Sequence, residues 1–183
     1  MAECGALATY HAISCNKQAS TLHNMPQHDV DRVDRAIVTE LQQDGRLANV
    51  DLAERVSLSP SACLRRVKAL EADGIIAGYR AEVDRAKAGL GLTVFLELRA
   101  EGHSRENWMN VERRLKEIPA VISAHVISGA ADFLVEAVVP DLAGYEKLLL
   151  EEILSIPSIV DARSNFAIRT VVNRGPMPLE HWR

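Results

Sequence analysis

The stretch that decides the fold reads Ser59-Pro60-Ser61-Ala62-Cys63-Leu64-Arg65-Arg66-Val67. Serine followed by proline is a strong helix start, because the serine side chain caps the first turn and proline suits the first helical position. No acidic residue occurs from Ser59 through Leu70. At about 100° per residue, the apolar and polar residues separate onto opposite sides: Cys63, Val67 and Leu70 against Ser61, Arg65 and Lys68. The segment therefore predicts an amphipathic helix with one positively charged face.

Two shorter helical patterns precede this basic helix. The first has apolar residues at helical spacing and ends at Asp44-Gly45; these residues are Val30, Val33, Ile37 and Leu41. In the second, Asn49 is positioned to act as the N-cap. Ser57-Leu58 then supplies a tight turn, and Gly74 ends the basic helix. Residues 75–83 read as two short β segments around a glycine turn, so this half predicts a winged helix-turn-helix.

The second half alternates strand and helix patterns. Strands are expected from Leu92, over 121–127, over 133–139 and over 159–172, and helices at spacings that begin with Trp108 and Leu142. The motif Ile118-Pro119 recurs as Ile156-Pro157, each time after a helix and before a strand. The order is βαβ twice, which predicts a ferredoxin-like βαββαβ unit and an α+β fold for the chain.

These patterns divide the chain into five parts. We expect a disordered leader over 1–28, a winged helix-turn-helix DNA-binding domain over 29–83, a linker over 84–91, an α+β domain over 92–173, and a tail over 174–183.

The basic helix has the chemistry that reading duplex DNA requires. Arginine can donate two parallel hydrogen bonds to guanine in the major groove, which makes Arg65, with Arg66 beside it, the candidate for base recognition. The amides near Ser59, Pro60 and Ser61 favour a phosphate oxygen, and Lys68 and Arg80 are candidate backbone contacts. Because the net charge is -4, DNA binding has to depend on this local face. The alternative is a merely solvated basic face.

These residues also resemble a known family. The first half is similar to the DNA-binding domain of the Lrp/AsnC, or feast/famine, transcriptional regulators, and the second half to that family's amino-acid-sensing domain. The likeness covers about 29 to 173 and rests on Val33-Asp34-Arg35-Ala36-Ile37, Asp44-Gly45-Arg46, Asp51-Leu52-Ala53-Glu54-Arg55-Val56, the Ser59–Val67 stretch, and Leu70-Glu71-Ala72-Asp73-Gly74-Ile75-Ile76.

The resemblance implies homodimers that assemble into tetramers or octamers, double-stranded DNA as a partner, and an amino acid or related metabolite bound between dimers. The sensing loop of the family corresponds to Gly129-Ala130-Ala131-Asp132-Phe133. There the glycine lets backbone N–H groups approach a carboxylate, and Asp132 can pair with an ammonium group. The alternative is a tight turn in which the aspartate bonds to its own backbone. Many members of the family have a threonine or serine facing the ligand on the last strand. Asn165 takes that place here, with Ser164 beside it, and both side chains can hydrogen-bond an effector.

Other classes of protein find little support. We expect no enzyme, no cofactor and no metal, since the sequence has no P-loop, no dinucleotide fingerprint and no HExxH motif. The three cysteines have no ligand spacing, which favours a cytoplasmic setting and a core role for Cys63. No apolar run is long enough for a membrane span. The remaining alternatives are a nucleoid-type architectural DNA-binding protein without an effector and a metal-responsive repressor.

Overall fold

The computed structural model describes residues 30–102, 104–179 and 182. The predicted leader therefore lies outside the described residues. The chain divides into two compact units, one made of residues up to Ala81 together with Arg174–Arg183, and one made of Glu82–Asn173. No helix within the described residues has the length and apolar character needed to cross a membrane.

Three helices lie in the described part of the first unit: α1 (Arg32–Gln43), α2 (Asn49–Arg55) and α3 (Pro60–Ala72). Their buried core consists of Ile37, Leu52, Ala53, Cys63 and Leu70. Burial raises the pKa of the Cys63 thiol, which agrees with its predicted role as a small core residue. The helix-turn-helix predicted from the sequence is confirmed.

Asn49 does not cap α2 in the way the sequence suggested. The N-cap is Ala48, which makes no side-chain cap bond, and Asn49 is the first residue of the helix. Its Nδ2 instead donates to the backbone oxygen of Pro60 at 2.9 Å. The amide thus joins the start of α2 to the start of α3, a contact that local spacing does not reveal.

The turn between α2 and α3 is closed by a residue in the left-handed region. Ser57 has a φ of +55°. The N–H of Leu58 donates to the oxygen of Ala53 at 2.8 Å, and the N–H of Ser57 donates to that of Glu54 at 3.1 Å. This pair of bonds is the Schellman arrangement that usually has glycine at the position of Ser57.

Residues 75–83 contain no strand, so the prediction of a wing hairpin there is wrong. Ile75 and Ile76 pack against the helical core instead. The hydroxyl of Tyr79 donates to Glu71 at 3.0 Å, and its ring lies against Gly45, where a Cβ would be 3.3 Å from Cδ1. Because a two-stranded ribbon alone is only marginally stable, these side-chain contacts decide the path of the segment.

The second unit is a four-stranded antiparallel sheet with the strand order β2-β3-β1-β4. Its elements are β1 (Leu92–Ala100), α4 (Arg105–Glu117), β2 (Val121–Val126), β3 (Phe133–Val139), α5 (Leu142–Lys147), a π-helical segment (Leu148–Ile153) and β4 (Ile159–Phe166). This order confirms the predicted ferredoxin-like fold. Alternate residues of β1 are buried, among them Val94, Leu96 and Leu98, and they pack with α4 residues such as Val111.

The last strand ends at Phe166 rather than at Val172 as predicted. β4 pairs with β1, in which Val94 is opposite Phe166, and the N–H of Ala167 makes a last bond to Thr93. β1 begins at Leu92, which this register places opposite Ile168, so residues after Ile168 have no partner strand. Apolar side chains continue to Val172, but Ile168 is fully exposed.

The predicted linker over 84–91 forms a hydrogen-bonded turn. The N–H of Leu90 donates to the oxygen of Arg85 at 2.8 Å. The guanidinium of Arg85 pairs with Glu136 at 3.0 Å and donates to the hydroxyl of Thr93 at 3.1 Å. The segment is therefore fastened to β1 and β3.

We predict that Ser57→Gly stabilises the first unit by about 1 kcal/mol, because glycine adopts the left-handed conformation without a Cβ clash. The melting temperature measured by calorimetry checks this. Gly74→Ala is the matched control, since Gly74 has a φ of +71° and alanine should destabilise there. A lower melting temperature for Ser57→Gly would contradict the assigned turn.

Candidate nucleic-acid interface and effector site

The outward side of α3 carries the candidate DNA contacts. Ser59 caps the helix, and its Oγ accepts from the N–H of Ala62 at 3.3 Å and lies 3.3 Å from the Oγ of Ser61. Pro60 occupies the first helical position, as predicted. We define the α3 outer face as four exposed residues that fall within an arc of about 100°: Ser61, Leu64, Arg65 and Lys68.

Arg65 and Lys68 are exposed and make no ion pair with any described residue. Their charges are thus not neutralised within the part of the chain that the structure describes. Leu64, with 43% of its surface exposed, was missed by the sequence analysis. Its spacing gave a signal, since it lies three residues after Ser61 and four before Lys68. An apolar side chain among these groups can contact a thymine methyl group.

Arg66, by contrast, is turned toward α1. Its Nη1 lies 2.9 Å from Oδ1 of Asp34 and 2.8 Å from Oδ2 of Asp31. The Asp34 side chain is fully buried, whereas 27% of the Arg66 side chain is exposed. The guanidinium therefore joins α3 to the first turn of α1 while its neighbour Arg65 faces outward.

The two aspartates also form the cap of α1. Oδ1 of Asp31 accepts from the N–H of Asp34 at 2.9 Å, and Oδ2 of Asp34 accepts from the N–H of Asp31 at 3.1 Å. The Asp34 amide, together with Arg66, holds the pKa of Asp31 below its ordinary value of 3.8. A lowered pKa contributes stability that is present above the unfolded-state pKa and is lost as the pH falls through the folded-state pKa. Acid therefore weakens this cap.

Arg80 lies on the extended segment after α3 and is exposed. It makes no ion pair within the described part of the chain. The structure leaves its side chain open to solvent, as a phosphate contact requires.

The predicted sensing loop lies between β2 and β3. Gly129 has a φ of +128°, a conformation that other residues rarely adopt. Ala131 is buried, whereas Ala130 is exposed. Oδ2 of Asp132 accepts from the N–H of Ala100 at 2.9 Å.

Asp132 is held at the end of the sheet by its own backbone as well. Its N–H donates to Leu98 at 2.9 Å, and its oxygen accepts from Ile127 at 3.0 Å. The pairing of β1 with β4 shifts register between Arg99 and Ala100. The carboxylate therefore satisfies a backbone donor where the regular ladder is disturbed, and the bond is not the local one expected for a tight turn.

Ser164 and Asn165 face opposite sides of the sheet, because consecutive strand residues alternate. Ser164 lies opposite the buried Leu96 and its Oγ hydrogen-bonds the hydroxyl of Tyr145. Asn165 lies opposite Phe95, and its Nδ2 donates to Glu97 at 3.2 Å. Only Asn165 thus belongs to the face that carries no helices.

Within one chain these predicted effector residues are not brought together. From the register and the strand spacing, the Cα atoms of Asp132 and Asn165 are roughly 16 Å apart. A single amino acid cannot contact both. A separate cavity of about 420 Å³ lies between α4 and β2, and its described lining, which includes Glu112, Lys116 and His125, contains none of the predicted effector residues. The described residues contain no cluster of His, Cys, Asp or Glu that could hold a metal ion.

Two family models match the chain. Residues 30–77 match a winged helix-turn-helix DNA-binding domain, and residues 93–177 match the Lrp/AsnC ligand binding domain. The leucine-responsive regulatory proteins of Salmonella typhimurium and Escherichia coli are each 37% identical over 146 residues, which is 80% of this chain and 89% of those proteins.

Solved structures agree with this. An AsnC family transcriptional regulator from Agrobacterium tumefaciens is 36% identical with a TM-score of 0.80, covering 84% of this chain and 99% of that one. A Neisseria meningitidis transcriptional regulator in complex with L-methionine is 33% identical with the same TM-score and coverage. The feast or famine regulatory protein of M. tuberculosis, complexed with L-methionine, is 29% identical with a TM-score of 0.75, covering 82% of this chain and all of that one.

We predict that Arg66→Ala lowers the free energy of unfolding of the first unit by about 2 kcal/mol, because it leaves the buried Asp34 carboxylate without this partner. Thermal and urea unfolding measure the change. Arg65→Ala is the matched control and should stay within about 0.5 kcal/mol of the parent. Equal losses in the two variants would show that the Arg66 pair does not hold α3 on α1.

Proposed function

Because this chain belongs to the Lrp/AsnC family of transcriptional regulators, we propose that it recognises specific DNA sequences through the α3 outer face and responds to an amino acid bound by its second unit. The family membership makes it a DNA-binding regulator with a ligand-binding domain. The surface, the base-reading residues and the effector are the proposal. The observation that carries it is the pair of exposed cations on α3, Arg65 and Lys68, which no described residue neutralises.

Each candidate has a separate task in this proposal. Arg65 reads a base edge in the major groove, and Leu64 adds an apolar contact beside it. Lys68 and Arg80 contact phosphates, as do the first-turn amides near Ser59, Pro60 and Ser61. Since the chain as a whole has a net charge of -4, attraction to DNA depends on this limited surface.

Arg66 takes a positioning role rather than the contact first expected of it. Its ion pairs with Asp31 and Asp34 set the rotation of α3 about its own axis. Because adjacent residues of a helix differ by about 100° in direction, fixing Arg66 inward presents Arg65 outward.

The effector proposed is an amino acid, with L-methionine as the first candidate. Two relatives were crystallised with L-methionine. The loop from Gly129 to Asp132 supplies a carboxylate for an ammonium group and backbone N–H groups for a carboxylate. Because one chain leaves Asp132 and Asn165 far apart, the proposed site is completed by a second copy. Assembly of homodimers into tetramers or octamers provides such copies.

We predict that Arg65→Ala weakens binding to the chain's own upstream DNA by roughly 1–3 kcal/mol and relaxes base preference, whereas Lys68→Ala weakens binding to all sequences and lowers the salt slope by about one. Fluorescence anisotropy at several salt concentrations measures both. Arg113→Ala is the control, since Arg113 pairs with Glu117 on α4. Unchanged affinity and preference in Arg65→Ala would remove α3 from the interface. A footprinting experiment separates the alternative function: protection of the DNA without discrete sites would favour an architectural DNA-binding protein.

We predict that L-methionine stabilises the protein by about 2.7 kcal/mol at one hundred times its Kd. Asp132→Asn should abolish this shift while sparing DNA binding, because the amide can still accept from Ala100 but has no charge for an ammonium group. Asp141→Asn is the matched control, since Asp141 caps α5 in a similar way. A thermal-shift screen of the twenty amino acids measures these effects. A full shift in Asp132→Asn would exclude Asp132 from the site.

A further inference from the structure

The end of the chain is part of the first unit. Residues Arg174–Arg183 cluster with the three helices, although the entire second unit separates them in sequence. The first unit is therefore discontinuous. Its last segment reads Arg174-Gly175-Pro176-Met177-Pro178-Leu179, and Trp182 follows it.

Two side chains of α1, those of Gln42 and Arg35, hold this segment by hydrogen bonds. Gln42 pairs with Met177 in both directions: the N–H of Met177 donates to Oε1 at 2.6 Å, and Nε2 donates to the oxygen of Met177 at 3.4 Å. The side-chain amide thus imitates a neighbouring strand. Nη1 of Arg35 donates to the backbone oxygen of Trp182 at 2.9 Å. Both contacts recognise the backbone of the segment.

The side chain of Trp182 adds an apolar contact. It packs against the cluster built around Ile37 and Cys63. A large aromatic side chain loses little conformational freedom for the area that it buries. An open space of about 590 Å³ remains between α1 and the stretch from Pro176 to Leu179. The segment is thus held at Met177 and Trp182 rather than by continuous packing.

The sequence of the segment suits such a contact. Pro176 and Pro178 fix their own φ angles, and each restricts the preceding residue to an extended backbone. Of these three residues only Met177 has an N–H group to donate, and Gln42 accepts it. The unbound segment therefore has little conformational freedom to lose on docking.

The two points where the chain passes between units lie side by side. Glu82, the first residue of the second unit, accepts from Nδ2 of Asn173, the last residue of that unit, at 2.8 Å. The next residue, Arg174, has a φ of +47°. A sharp local turn thus marks the start of the returning segment.

We propose that residues 176–179 and Trp182 are an intramolecular ligand of α1, and that their docking makes the returning chain a second link between the DNA-binding unit and the ligand-binding unit. A conformational change that displaces the last residues of the second unit is then transmitted to α1 through the contacts of the segment with Gln42 and Arg35 and through Trp182. The docking itself does not depend on the proposed DNA or amino-acid binding.

Hydrogen exchange with mass spectrometry on the full-length protein tests the docking, with the free synthetic peptide 174–183 as the unprotected reference. The docked Met177 amide should exchange at least about tenfold more slowly than in the peptide. Gln42→Ala and Trp182→Ala should each remove this protection. Glu54→Ala is the control, since Glu54 is exposed on α2 and does not line the space beside the segment, and it should leave the protection unchanged.

Exchange of residues 174–183 at the rate of the free peptide in the parent protein would overturn the proposal, as would unchanged protection in Gln42→Ala. Gln42→Ala keeps the test decisive if Trp182→Ala fails to fold. A protected segment in a protein that binds no DNA would contradict the proposed function and leave this inference standing. A chain shortened to end at Asn173 should show lower stability of the first unit, and the added peptide should restore it.

Discussion

The buried carboxylate of Asp34 constrains the whole first unit. A charged group without exposed surface is tolerated only where hydrogen bonds and an opposite charge compensate for the water it has lost. The N–H of Asp31 and the guanidinium of Arg66 supply such compensation here. Because Arg66 comes from α3 and Asp34 from α1, the same contact sets the angle and rotation of the helix proposed to read DNA. Stability and recognition are thus coupled through two adjacent arginines, one facing inward and the other outward.

A similar division between adjacent residues occurs in the second unit. Ser164 hydrogen-bonds Tyr145 on the side of the sheet that carries the helices, and Asn165 hydrogen-bonds Glu97 on the opposite side. One carboxylate oxygen of Asp132 accepts a hydrogen bond from the backbone N–H of Ala100. The groups that suit an amino acid are therefore dispersed within one chain, and the site proposed above is completed by a second copy. In that proposal, ligand binding and assembly are one equilibrium, through which a small molecule changes the population of DNA-binding assemblies.

The sequence predicted best those features that local chemistry decides. Ser59 and Pro60 fix the start of α3, and the stretch from Phe133 to Val139, apolar except for Glu136, forms β3 over the predicted residues. What failed depends on partners that are distant in the chain. The apolar pattern continues to Val172, but β4 stops at Phe166, close to the end of β1, so most of the predicted extension has no partner strand. The inward position of Arg66 depends on Asp34, which lies 32 positions earlier, and spacing within α3 alone does not show it.

The discontinuous first unit extends the same reasoning to the ends of the chain. The three described helices of this unit bury few side chains, and Trp182 packs against that small core from the far end of the sequence. A small core gains proportionally more from each added aromatic ring than a large one. In the docking proposed above, the ligand-binding unit connects to the DNA-binding unit at both ends of its sequence. The proline-containing segment makes that second connection through its backbone contacts to Gln42 and Arg35, with little loss of conformational entropy.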